Sequence, residues 1–157
     1  DKDLGQCVRG EKVVQWDRMR RTVLDEEGVR AKHGVGPLSI ADLLALVGDT
    51  ADGIPGIPRW GAKSAARVLS VYEHVESIPA DASKWTVSVR GAATLAGNLA
   101  AQRDAAMLYK TLATLRTDAP IELDREALEW RGADREALAS LCAELGDATH
   151  ERVKRFR

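Results

Sequence analysis

Between Asp49 and Gly61 the sequence reads Asp-Thr-Ala-Asp-Gly-Ile-Pro-Gly-Ile-Pro-Arg-Trp-Gly, with glycine at 53, 56 and 61 and proline at 55 and 58. Proline has no amide hydrogen, and glycine alone enters left-handed backbone freely. The run therefore excludes a long regular element and demands tight turns. Whatever flanks it must be built from short pieces that meet at this loop. Downstream, Ala62 to Tyr72 reads as a helix with Ala65, Val68, Leu69 and Tyr72 on one face. Upstream, Pro37 and Ser39 open a helix in which Ile40, Leu43, Leu44 and Val47 follow the i, i+3, i+4, i+7 pattern, and Gly48 stops it.

The remaining segments are also short. Val13 to Trp16 and Thr22 to Leu24 are rich in β-branched residues and read as strands joined by a turn at residues 17–21. Asp25 is placed as an N-cap, with Glu26 and Glu27 in the first turn of a helix that ends near His33-Gly34. A short helical turn is expected between Glu73 and Ile78. A long helix is expected from about Gly91 to Leu115, buried along Leu95, Leu99, Ala106, Tyr109 and Leu112, with Gly97-Asn98 as a weak point. Residues 117–132 read as extended, with Ile121 to Leu123 and Leu128 to Trp130 alternating. A last helix spans roughly Asp134 to Leu145, capped by Asp134 and ended by Gly146.

Composition narrows the class. With 45% hydrophobic residues and 4% aromatic ones, Leu, Val and Ala must do most of the packing. No apolar run approaches the length of a membrane span, and no signal peptide is visible. Cys7 and Cys142 match no metal spacing and read as reduced thiols of a cytoplasmic protein. The first residue is Asp1 rather than Met, so the chain reads as a fragment or a processed product. Net charge is −1, but it is unevenly spread. Residues 1–58 hold eight basic and ten acidic residues, residues 59–116 eight and four, and residues 117–157 seven and ten, giving −2, +4 and −3. A basic middle between acidic ends is either a local field that can steer phosphates or a random scatter of charge, and the numbers alone do not choose between them.

Two features carry chemistry. In Gly56-Ile-Pro-Arg-Trp-Gly61-Ala-Lys63-Ser64, a glycine-bearing hairpin runs directly into a helix start, where unsatisfied amide N–H groups favour an anion. Lys63 and Arg67, four apart, share one face of that helix and would follow a phosphate backbone without reading bases. The second feature is two acidic pairs, Asp1-x-Asp3 and Asp49-x-x-Asp52. Hard divalent ions want oxygen ligands, and phosphodiester hydrolysis often uses two ions about 4 Å apart. Each pair alone is equally at home as a cap or a turn former. The hairpin reads equally as a plain loop with solvated charges, but the order matters more, because Asp49 and Asp52 immediately precede the hairpin that would hold phosphate.

The run from Leu46 to Ala65, Leu-Val-Gly-Asp49-Thr-Ala-Asp52-Gly-Ile-Pro-Gly-Ile-Pro-Arg-Trp-Gly61-Ala-Lys63-Ser-Ala, resembles the signature of the 5′-nuclease family. That family includes bacterial 5′–3′ exonucleases, the 5′-nuclease domain of DNA polymerase I, phage 5′ nucleases and flap endonucleases. Asp1-Lys2-Asp3-Leu4 resembles the family's second metal-ligand segment. Glu26 to Val35, Pro37 to Asp49 and Thr114 to Ile121 resemble segments that follow it in the same order. The resemblance implies a mainly α fold with short strands, the helix-hairpin-helix (helix-three-turn-helix) C-terminal domain of a 5′ nuclease. It implies that Asp1, Asp3, Asp49 and Asp52 hold catalytic Mg²⁺ or Mn²⁺, two or more ions in the complete enzyme. It implies DNA contacts from Arg59, Gly61, Lys63, Ser64 and Arg67, and a K⁺ site on the carbonyls of Ile57 and Trp60. Arg59, Trp60 and Ala62 depart from the family's usual glycine, small aliphatic and proline, which puts the hairpin's turn geometry in question.

The reading is a piece of a 5′–3′ exonuclease or structure-selective 5′ nuclease acting on DNA with a 5′ end, flap or branch. Its expected parts are a remnant of the nuclease core at 1–36, the helix-three-turn-helix domain at 37–116, and an extended segment and helix at 117–157 packing back on the core. The family's first half is the expected partner, in a monomer with no membrane attachment, and the 157-residue chain alone is expected to be inactive. A non-catalytic duplex-DNA-binding module is the alternative, against which the acidic pairs argue. An interaction domain built on the Ala-rich helix is a third reading.

Overall fold

The computed structural model describes residues 2–121, 124, 126 and 128–157. These fall into two compact units, Asp1–Thr117 and Asp118–Arg157. The first unit opens with a 3-10 turn, Asp3–Cys7. Strands β1 (Gln15–Asp17) and β2 (Thr22–Leu24) pair antiparallel, with Gln15 opposite Leu24. Val13 lies outside β1 and bridges back to Arg9 instead.

Helix ends follow the capping residues read from the sequence. Helix α1 (Glu26–His33) starts at Asp25, whose carboxylate accepts the Gly28 N–H at 2.8 Å, and closes on Gly34 in left-handed conformation. Helix α2 (Ile40–Val47) follows a 3-10 turn at Pro37–Ser39 and ends at Gly48. Helix α3 is Ala62–Tyr72, as expected, followed by a 3-10 turn at Val75–Ser77.

The long helix expected over residues 91–115 is two helices, α4 (Ala92–Ala101) and α5 (Arg103–Ala113). The break is at Gln102, whose backbone leaves the helical region and whose N–H is shared between the carbonyls of Asn98 and Leu99. Gly97-Asn98 stay helical; the Asn98 side chain instead reaches the Pro58 carbonyl at 2.8 Å. The break shifts the phase of the buried stripe. Leu95, Leu99 and Ala106 are buried as expected, but Leu112 is 65% exposed, and Ala113 takes the buried position.

The core of the first unit gathers Val29, Ile40, Leu46, Val68, Leu69, Val75, Ile78 and Leu99, all nearly inaccessible. Asp42 is as buried as they are, although it lies in an otherwise apolar helix. Its carboxylate accepts the Val75 N–H at 2.8 Å, and it meets Lys110 Nζ at 2.9 Å and His74 Nδ1 at 3.1 Å. Lys110 also grips both oxygens of Glu76 at 2.8 Å. Burial pulls the Lys110 ammonium down, but the bonds to Glu76 and Asp42 outweigh it and leave it above its ordinary range. The network ties α2 to α5 and to the turn after α3.

In the second unit, α6 (Arg135–Leu145) is capped by Asp134, which accepts the Ala137 N–H at 2.9 Å, and ends at Gly146 in left-handed conformation. Leu128 and Glu129 form turn and bend rather than the extended, alternating segment expected. Of the expected segment Ile121 to Leu123, the last two residues lie outside those described. Ala133 bridges in parallel to Phe156, whose ring carries the Arg135 guanidinium 4.0 Å from its centre. Cys7 is exposed and Cys142 buried, both free. Among the described residues, no helix is long and apolar enough to cross a membrane.

Candidate metal and nucleic-acid site

The loop after α2 is held by close backbone contact. A Cβ on Gly56 would lie 2.5 Å from the Gly48 nitrogen, and one on Gly48 would lie 2.8 Å from the Ile54 carbonyl oxygen. Glycine at both positions lets residues 54–56 lie flat on the end of α2. Asp49 and Ile54 then exchange both backbone hydrogen bonds, at 2.7 and 2.8 Å, and Ile57 N–H reaches the Leu46 carbonyl at 2.8 Å. The resulting tight turn carries Asp49 inward, with its side chain 1% exposed, and leaves Asp52 at the surface.

Carboxylate oxygens of Asp3, Asp49 and Asp52 all lie within 4.8 Å of one another. The 3-10 turn that carries Asp3 thus meets the loop between α2 and α3. Asp1 lies outside the described residues. Burial raises the Asp3 carboxyl above its usual range, and the charges of Asp52 and Asp49 push it the same way, against Lys2. Asp49 is held below its usual range, first by its hydrogen bond from Lys2, in spite of burial. Its Oδ1 accepts the Ala51 N–H at 3.1 Å and meets Lys2 Nζ at 2.7 Å, while Oδ2 is buried with no hydrogen-bond partner. An orphaned buried carboxylate oxygen facing two more carboxylates fits a hard divalent cation.

Neither Lys2 nor Gln6 was singled out from the sequence. The Gln6 amide spans a long interval of chain: Nε2 donates to the Ala113 carbonyl at 2.9 Å, and Oε1 accepts the Leu115 N–H at 3.2 Å. It fastens the turn that carries Asp3 to the end of α5. The signal that could have found it is a lone amide side chain in a segment otherwise assigned to metal ligands. Gln6→Ala is expected to cost about 1–3 kcal/mol, because two backbone groups lose their partner. Urea unfolding and amide exchange at Leu115 measure this; an unchanged exchange rate at Leu115 would refute the clasp.

The hairpin keeps its turn despite lacking the usual glycine. Arg59 adopts φ +72° and Trp60 N–H bonds the Ile57 carbonyl at 3.1 Å. A non-glycine residue there costs about 1–2 kcal/mol, so other contacts must hold it. Trp60 supplies them: it is 4% exposed, donates its indole N–H to the Leu95 carbonyl at 3.0 Å, and packs tilted against Trp85 with centroids 6.1 Å apart. Gly61 is the N-cap of α3. Its N–H donates to the Ser64 hydroxyl at 3.2 Å, and that hydroxyl donates back to the Gly61 carbonyl at 2.9 Å. One amide expected to face a phosphate is thereby occupied, as is Ser64. Arg59, Lys63 and Arg67 are exposed on the same loop-and-helix element.

Residues 35–136 match the family model described as 5′-3′ exonuclease, C-terminal SAM fold. The chain belongs to the 5′-3′ exonuclease family. It is 36% identical over 149 residues to DNA polymerase I of Bacillus caldotenax, covering 93% of this chain and 16% of that protein. It is 35% identical over 136 residues to the 5′-3′ exonuclease of Buchnera aphidicola subsp. Baizongia pistaciae, covering 82% of this chain and 43% of that one. Among solved structures, T5 5′-exonuclease with bound divalent metal ions (zinc) superposes with a TM-score of 0.59 at 21% identity, over 72% of this chain and 40% of that one. That likeness places the mainly helical fold with the helical part of the exonuclease family. The chain spans about a sixth of the polymerase relative and less than half of the exonuclease relative.

Proposed function

We propose that this chain is the DNA-gripping part of a 5′–3′ exonuclease or structure-selective 5′ nuclease and supplies part of its metal site. The observation that carries the reading is the convergence of Asp3, Asp49 and Asp52 at the start of the loop that runs into α3. A non-catalytic binder gains nothing from three carboxylates gathered beside a phosphate-holding element, since they repel the phosphates. Asp3, Asp49 and Asp52, with Asp1 as a fourth candidate, would hold Mg²⁺ or Mn²⁺. Such ions, when bound, stabilise developing negative charge and supply activated water. Arg59, Lys63 and Arg67 hold the duplex backbone, and the amides at the start of α3 other than that of Gly61 complete the grip. Ser64 and Gly61 shape the helix start. The carbonyls of Ile57 and Trp60 are candidates for K⁺, with one lone pair of Ile57 already engaged by Trp60 N–H. The substrate is DNA with a 5′ end, flap or branch, handled together with the remainder of a complete nuclease.

The test is duplex and flap binding by a Lys63→Glu/Arg67→Glu variant. Affinity is expected to fall by about tenfold to a hundredfold, and the slope of log K against log salt to lose about two units. Fluorescence anisotropy over a salt series reads both. Equal affinity and slope in variant and parent would reject this face as the grip.

A further inference from the structure

Lys2 projects its ammonium onto the carboxylate cluster. Its Nζ stands 2.7 Å from Asp49 Oδ1, with the Lys2 side chain 42% exposed and that of Asp49 1% exposed. The same lysine lines a cleft of about 380 Å³ with three more cations, Arg18, Arg20 and Lys32, and one acid, Asp17. We propose that Lys2 is a tethered counter-ion of the cluster, displaced when a divalent cation enters, and that the displaced ammonium then contacts a phosphate of the nucleic acid beside the ion. This rests on the metal-site reading above.

The argument begins with crowding. Three carboxylates within 4.8 Å repel one another, and one monovalent cation neutralises only part of that charge. Lys2 answers the charge of Asp49 Oδ1, yet Asp49 Oδ2 remains buried with no partner. A divalent ion shared by the three carboxylates would satisfy that oxygen. It would also bring like charge close to the ammonium. The two cations therefore compete for Asp49. They are unequally held: Asp49 is fixed by the backbone turn and by the Ala51 N–H, whereas the lysine ammonium rides on a flexible, half-exposed stem. The lysine is the member that moves. Its available direction is the cleft, where Arg18, Arg20 and Lys32 already gather positive charge. There an anionic phosphodiester oxygen is the partner that restores its charge balance. Arg20 is engaged by Asp17 at 3.0 Å, which leaves Arg18 and Lys32 to share the anion.

The two halves of the proposal predict effects of opposite sign on one variant. Lys2→Met removes the competitor, so Mn²⁺ should bind the chain about twofold to fivefold more tightly in calorimetry, the cost of breaking a half-exposed ion pair. The same variant, saturated with Mn²⁺, should bind a phosphorothioate flap duplex with a salt slope reduced by about one unit, and without Mn²⁺ with an unchanged slope. Mn²⁺ affinity that is unchanged or weaker in Lys2→Met overturns the counter-ion role. An unchanged salt slope in Mn²⁺ overturns the phosphate contact. Asp49→Asn separates this from the parent reading. If Asp49→Asn abolishes Mn²⁺ binding and Lys2→Met gains nothing, only the counter-ion role fails. If Mn²⁺ binding is absent, or survives Asp49→Asn, the metal site and the role of Lys2 fail together.

Discussion

Replacing Asp42 by alanine is expected to lower the stability of the first unit by about 3–5 kcal/mol, the typical cost of orphaning a buried charge. Asp42 is fully buried and answers Lys110, His74 and the Val75 N–H. Alanine leaves the Val75 amide without an acceptor and Lys110, whose side chain is 18% exposed, with Glu76 alone. The loss would be a large share of a total that is typically about 5–15 kcal/mol. Lys110→Met added to Asp42→Ala should recover about 1–3 kcal/mol, because no unpaired charge then remains inside. Urea midpoints at constant slope measure both steps. A loss below about 1 kcal/mol for Asp42→Ala would mean that the network is solvated in solution and does not hold α2 against α5. The consequence reaches the site, because α2 ends directly in the loop that carries Asp49 and Asp52.

Where a local rule decides structure, the sequence was sufficient. Asp25 and Asp134 each accept an amide three residues on, and Gly34 and Gly146 close their helices in left-handed conformation. Helix α3 begins and ends where its apolar face and the Gly-Pro run require. The break at Gln102 was not legible, since no residue there forbids helix; Gly97 is the weaker helix former, yet it stays helical. Asp42 was passed over for a related reason. Helical spacing assigned the buried face to Ile40, Leu43, Leu44 and Val47, and its main charged partner lies three helices further along the chain, in α5. A single charge in Ile-Ala-Asp-Leu-Leu-Ala-Leu-Val was the available signal.

The candidate site was legible through motif order and not through spacing. Nothing in the interval between Asp3 and Asp49 fixes their meeting; that depends on the 3-10 turn lying against α2 and on the Gln6 clasp to α5. Lys2 was overlooked although it sits between two proposed ligands, because a lysine among acids reads as a solvated neighbour. Arg59 in place of the family's usual glycine put the hairpin's turn in question; here Arg59 itself adopts a left-handed conformation, beside the buried Trp60.

The double substitution Asp49→Asn/Asp52→Asn is expected to have the largest effect on chemistry. In the isolated chain it should abolish measurable Mn²⁺ binding, since it removes two of the three converging carboxylates and keeps only the weaker amide oxygens in their place. In a polypeptide carrying this chain within a complete 5′ nuclease, cleavage of a 5′-flap substrate in Mg²⁺ should fall by about a hundredfold to a thousandfold, for a loss of roughly 3–4 kcal/mol of transition-state stabilisation. The 157-residue chain without its family's other ligands should show little cleavage even unmutated, because in-line attack needs ions at fixed spacing and about 1 Å of misplacement can cost a hundredfold. Asparagine keeps the size of each side chain, and the Asp49 Oδ1 bond from Ala51 N–H can persist through the amide oxygen, so the loop should stay folded. Circular dichroism and duplex affinity of the variant check that point, and the duplex grip by Lys63 and Arg67 should survive. Full flap cleavage by the folded double variant would remove these aspartates from the reaction. Robust Mg²⁺-dependent cleavage by the 157-residue chain itself would show that Asp3, Asp49 and Asp52, with what surrounds them here, already fix the ions well enough for attack.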